Sequence, residues 1–131
     1  MGKTQIQKYE ESEFNEIFAE TVENMKRLGT YRVEFNPVVT RYAELRVQFL
    51  LLMQSYYDGG CKVTEEYTNK AGFTNIRKTA LYLALESLRK ELRDFENDLG
   101  LTPAGLGKIN DEMKAKKKTS MLSEALKKLE N

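Results

Sequence analysis

YTNKAGFTNIRKTALYLALESLRKELRDFENDLGLTPAGLGK, residues 67–108, decides how this chain folds. Its middle carries Leu81, Leu85, Leu88, Leu92, Phe95 and Leu99, spaced four, three, four, three and four residues apart. That alternation puts all six on one stripe of an α-helix nearly three heptads long. Burying each side chain contributes roughly 1.5 to 3 kcal/mol before chain entropy is subtracted, so this helix is the expected spine. Thr79 is a residue type whose hydroxyl caps a helix N-terminus, and Gly100 is suited to the left-handed position that ends one. Leu101 then folds back over the last turn. Thr102-Pro103 restarts a shorter helix by cap-then-proline logic, with Ala104, Leu106 and Ile109 as its contacts.

Working upstream, the helical period disappears between Cys61 and Lys78. Residues 62–68 include β-formers, Asn69 to Gly72 contains turn residues, and Phe73 to Arg77 return as a second short strand, which predicts a β-hairpin near residues 61–77. A lone two-stranded hairpin is marginal in water, so it is expected to pack on its own helices or on a neighbouring subunit. Gly59-Gly60 closes the preceding helix, which starts at Asn36-Pro37 and runs to about Asp58. There the Asn side chain is expected to accept from the first free amides, while proline takes a position that needs no donor. Tyr42, Leu45, Phe49, Leu52 and Tyr56 form its main stripe, and Val47, Leu50, Leu51 and Met53 widen it until it nearly encircles the helix. Such a helix needs partners on more than one side. Self-association follows, with Leu50, Leu51 and Met53 as candidate oligomer-interface residues. The two long helices are expected to pack antiparallel with the hairpin at their far tip.

A further amphipathic helix covers residues 5–28, with Phe14, Ile17, Phe18, Val22, Met25 and Leu28 at helical spacing. Thr4 and Gln7 fit a capping box and Gly29 a C-terminal stop. Glu10, Glu13, Glu16, Glu20 and Glu23 sit between the apolar positions and read as a solvated face. From Asn110 onward charge dominates, and a flexible basic segment with Lys114, Lys116, Lys117 and Lys118 leads to a short helix capped by Ser120. Leu122, Leu126 and Leu129 share one face of that helix, which is too short to hold without docking. The expected organisation is therefore a mainly α fold: a helical oligomerisation core over residues 1–110, a long antiparallel helical hairpin with a β-hairpin at its tip, and a basic tail with short C-terminal helices over 111–131.

Composition narrows the function. The 131 residues are 40% hydrophobic and 31% charged, and the longest apolar run, Phe49 to Met53, is far too short to span a membrane. No basic-then-apolar leader opens the sequence, so a cytoplasmic location is expected. Cys61 is alone and histidine is absent, which excludes an intramolecular disulfide, a zinc site of the usual ligands and His-based triads. Gly100 and Gly105 have phosphate-loop spacing but are followed by Leu106-Gly107, and Asn110 stands where a dinucleotide fingerprint needs glycine. No enzymatic activity, cofactor or metal is expected. Net charge is only +1, yet residues 61–90 carry six basic against three acidic side chains and residues 114–131 six against two. A polyanion can be met locally at those two places.

Gly59-Gly60 closing a tyrosine-rich helix, YTNKAGFTNIRK before a helix cap and LGLTPAGLGK after the helix together resemble phage terminase small subunits of the branch marked by an L-G-L-T-P signature. The resemblance covers residues 37–110. It implies a ring-forming, non-catalytic protein in the cytoplasm of the infected bacterial host, which recognises double-stranded viral DNA and regulates the large subunit that holds the ATPase and nuclease. No motif assigns the DNA contacts, so they are taken from charge: Lys114, Lys116, Lys117, Lys118, Lys127 and Lys128 in the tail, and Lys62, Lys70, Arg77 and Lys78 around the hairpin. Leu122, Leu126 and Leu129 are candidates for docking the large subunit or for packing onto the ring itself. Two other classes compete: a helical DNA-binding regulator, and a structural assembly protein without nucleic-acid binding. Helices of about 22 residues are longer than a helix-turn-helix uses.

Overall fold

The computed structural model describes residues 2–130. In chain order the elements are α1 (Gln5–Leu28), α2 (Asn36–Asp58), β1 (Thr64–Thr68), β2 (Thr74–Lys78), α3 (Ala80–Asp98) and α4 (Pro103–Glu130), with a 3-10 turn at Val33–Phe35 leading into α2. The fold is mainly α, as the periodicity predicts. Tyr56 lies against Tyr82, Arg89 against Met53 and Phe49, and Tyr42 near Glu96, so α2 and α3 run antiparallel with the hairpin beyond their Tyr56 end.

Three of the four α-helices begin on a threonine hydroxyl. Thr4 Oγ1 accepts from the Gln7 amide at 3.2 Å while Gln7 Oε1 accepts from the Thr4 amide at 2.9 Å, a complete capping box. Thr79 Oγ1 accepts from the Tyr82 amide at 3.1 Å, and Thr102 Oγ1 from Gly105 at 3.0 Å. The fourth start differs from the sequence expectation. Asn36 is already helical and caps nothing; its Oδ1 accepts from the Tyr31 hydroxyl at 2.9 Å. The 3-10 turn delivers the chain into α2 through its backbone, which frees the Asn side chain to tie down the preceding loop.

The dry core sits away from the hairpin, where the end of α1, the start of α2 and the end of α3 meet. Met25, Val39, Tyr42, Leu88, Leu92 and Leu99 form its centre, and Ile17, Ala43 and Val47 extend it along the α1–α2 seam. Burial raises the Tyr42 phenol above its ordinary pKa; the Glu96 carboxylate adds to the effect and Arg46 opposes it. Thr30, also buried, reaches the Met25 and Leu99 carbonyls at 3.4 Å each and so bridges the ends of α1 and α3.

The stop and restart after α3 is built on two glycines. Gly100 adopts φ +72°, open at low cost only to glycine, and a Cβ there would lie 2.8 Å from the Ile109 side chain. A Cβ on Gly105 would stand 2.2 Å from the Asn97 carbonyl oxygen, so α4 crosses the end of α3 backbone to backbone. Ala104, expected as a contact, is instead exposed, while Leu106 and Ile109 are half-buried. Two of the three expected contacts are therefore present, and Gly105 adds a backbone contact of its own.

The C-terminal region also departs from expectation. The short helix from Pro103, the flexible basic segment and the Ser120-capped helix are one continuous α4, about 42 Å long at 1.5 Å per residue. Between Lys108 and Glu130 there is no glycine or proline, and Lys, Ala, Met, Glu and Leu all favour helix. Thr119, the residue beside the expected cap, turns its hydroxyl back to the Ala115 carbonyl at 3.0 Å. Every described residue from Asn110 to Glu130 is exposed.

Candidate functional site

The hairpin pairs antiparallel in the register Thr64 with Lys78 through Thr68 with Thr74. Its turn is closed by Asn69, whose amide donates to the Phe73 carbonyl at 2.9 Å and whose Oδ1 accepts from the Phe73 amide at 3.0 Å. At its base, the Thr79 amide donates to the Val63 carbonyl at 3.0 Å. Thr79 therefore anchors the hairpin and caps α3 at once. Both strands are exposed along their whole length, Ile76 at 75% of its accessible surface, and Phe73 just before β2 is 69% exposed. Of the two supports expected for the hairpin, its own helices give only a polar tie at the base, where Lys78 reaches Glu86 and lies over the Tyr82 ring, and neither strand is buried against them.

The four hairpin cations do not form one patch. Lys70 lies in the turn, whereas Lys62, Arg77 and Lys78 lie at the base, about 17 Å away for five residues of strand. Arg77 bonds Glu65 at 3.0 Å and stacks over the Tyr67 ring at 4.0 Å. Hydrogen bonds from Lys78 Nζ to Glu86 at 2.9 and 3.2 Å raise the pKa of the ammonium and keep it protonated. Exposed pairs of this kind contribute little to stability, because water and salt screen them. The sequence showed the cations but not their carboxylate partners, because pairing across strands depends on register.

Distal α4 is better organised. With roughly 100° of turn per residue, Leu122, Leu126 and Leu129 fall on one narrow face. Lys116, Lys117, Lys127 and Lys128 lie on the opposite face, and Lys114 and Lys118 on one flank between them. Gly105, Ile109 and Met113, which meet the body, lie on the lysine side. The leucine face thus looks away from the rest of its own chain, and Leu129 is 82% exposed. Lysines three and four apart between 114 and 118 repel one another, so this segment holds its helix better when anions neutralise it.

Of the three interface candidates on α2, Leu51 packs against Ile17, Ala43 and Val47, and Met53 is half-buried beside Arg89. Leu50 remains open at 38%. A groove of about 490 Å³ between the first half of α1 and α2 has Phe14 and Val47 as its floor and Glu10, Glu11 and Glu44 on its rim. The α1 glutamates lie at the surface as expected, and Glu44 from α2 joins Glu10 and Glu11 across the groove. Among the described residues no group of three or more His, Cys, Asp or Glu is gathered to hold a metal, and no helix is long and apolar enough to cross a membrane.

The sequence model of the family described as "Phage terminase, small subunit" (Terminase_4) matches residues 15–127. That range reaches back into α1 and forward through most of distal α4, beyond the 37–110 span of the sequence motifs. No curated protein and no solved structure matches the chain.

Proposed function

Because the chain belongs to the phage terminase small-subunit family, we propose that it is a ring-forming, non-catalytic component that binds double-stranded viral DNA and regulates the large terminase subunit. Beyond the family itself, the observation that carries this reading is distal α4, a projecting helix with lysines on one face and leucines on the other. The lysine face serves DNA and the leucine face serves protein. A single chain of net charge +1 has little reach for a polyanion, but a ring repeats each lysine face around a circle. Each phosphate neutralised releases counterions and steepens the salt dependence by about 0.9 in the log–log slope. The hairpin cations Lys62, Lys70, Arg77 and Lys78 form a second, more dispersed contact. The large subunit supplies the chemistry, and the small subunit's part is to hold it at the recognised DNA.

Lys116, Lys117, Lys127 and Lys128 changed together to alanine test this reading by DNA binding across a salt series. The slope is expected to fall by up to about 4 for each chain engaged, with the thermal midpoint unchanged because none of the four is buried. Unchanged affinity and slope would remove the lysine face from DNA contact. A DNA-binding regulator acting as a dimer, or an assembly protein that ignores DNA, would be separated by mass in solution and by the same titration.

A further inference from the structure

We infer that the leucine face of distal α4 seats in the α1–α2 groove of a second copy of this chain, with Lys114 and Lys118 meeting the glutamates of its rim. The inference deepens the ring-forming function proposed above by naming the contact that would close the ring.

The two surfaces complement each other in chemistry. The groove offers an apolar floor, Phe14 and Val47, under a rim of Glu10, Glu11 and Glu44, with Lys3 as its one cation, paired to Glu11. From Glu10 to Glu23, α1 carries six glutamates and no basic residue. Distal α4 offers the converse, an apolar stripe flanked by Lys114 and Lys118. Dimensions agree as well: Leu122 to Leu129 spans about 10 Å of helix, and the groove follows α1 for about 10 Å from Gln7 to Phe14. Seating the leucines leaves Lys117, Lys127 and Lys128 on the far side, free for DNA, while Lys116 lines the pocket between α4 and the body.

A chain cannot satisfy this contact with its own helix. α4 meets the body near Thr30 and Leu99, at the last turns of α1, whereas the groove lies along the first turns. The stripe also faces away from that body, and α4 runs unbroken through residues 103–130. Donor and acceptor surfaces differ, so the contact is head-to-tail and repeats from copy to copy until it closes. Glutamates beside Lys114 and Lys118 would also relieve the lysine repulsion within the helix.

Disulfide trapping tests this in the full chain. In a Cys61→Ser background, Gln48→Cys on the groove and Ala125→Cys beside the leucine face should give, on oxidation, a ladder of covalent multimers. A monomer-sized product, or dimers formed by Ala125→Cys alone, would overturn the contact. If light scattering shows an assembled particle but no ladder forms, the contact fails and the ring survives. If the protein is monomeric, both fail. Independently, Glu10→Lys with Glu44→Lys should weaken assembly at least tenfold, and adding Lys114→Glu with Lys118→Glu should restore it. Absence of rescue would contradict the pairing. Leu122→Ala with Leu126→Ala should likewise weaken assembly; release of the large subunit from an intact assembly would reassign the stripe and overturn the inference.

Discussion

Leu85 and Leu129 are both helical leucines in one chain, one with no accessible surface and the other 82% exposed. Leu85 belongs to the body, where α1, α2 and α3 share a dry interior and three helices start on satisfied threonine caps. Leu129 belongs to the distal part of α4, which leaves that body and is exposed from Asn110 to Glu130. The β-hairpin is a second projection of the same kind. Stability in this protein is concentrated in one place, and the surfaces offered to partners lie elsewhere. A monomer gains little stability from the projections, which the proposed function assigns to a neighbour and a polyanion.

The same substitution made in both regions breaks the comparison most severely. Leu85→Ala is expected to lower unfolding free energy by about 3 kcal/mol, because a fully buried side chain leaves a cavity. Leu129→Ala should change it by less than about 0.5 kcal/mol in dissociated protein. Denaturant melts at low concentration measure both, and a comparable loss at Leu129 would mean that distal α4 packs on its own chain. Next in size is the glycine pair at the boundary. Gly105→Ala drives a methyl into the Asn97 carbonyl and should cost about 2 kcal/mol or more, whereas Gly107→Ala faces open space and should stabilise the helix by up to about 1 kcal/mol. Thermal melts of the two variants should move in opposite directions. Smallest is Thr79→Ala, expected to cost about 1 kcal/mol through the lost cap of α3. Hydrogen exchange should show the hairpin base opening as well, because the Thr79 hydroxyl also donates to the Lys62 carbonyl at 3.3 Å.

The spine, the hairpin and the antiparallel pair were legible because each rests on local chemistry: a four-and-three leucine spacing, turn residues between β-formers, and threonine or glycine at helix ends. What escaped depends on contacts between segments distant in sequence. Nothing local marks Gly105 as the point where α4 crosses α3, because its close neighbour is the Asn97 backbone. Asn36 has the composition of a cap, and only the fold of the preceding loop turns it toward Tyr31. Dominant charge from Asn110 onward suggests a flexible segment, while helix propensity over residues 108–130 favours the continuity that α4 shows. The lysine positions were plain from the sequence, but their division into two faces of one helix required that continuity.

Mass in solution tests the central claim most directly. Light scattering on the full chain at micromolar concentration, repeated after removal of residues 114–131, should give a discrete multiple of the chain mass larger than a dimer for the first and a smaller species for the second. A full-length protein that stays monomeric or dimeric at that concentration would contradict the assignment of the projecting surfaces to ring assembly.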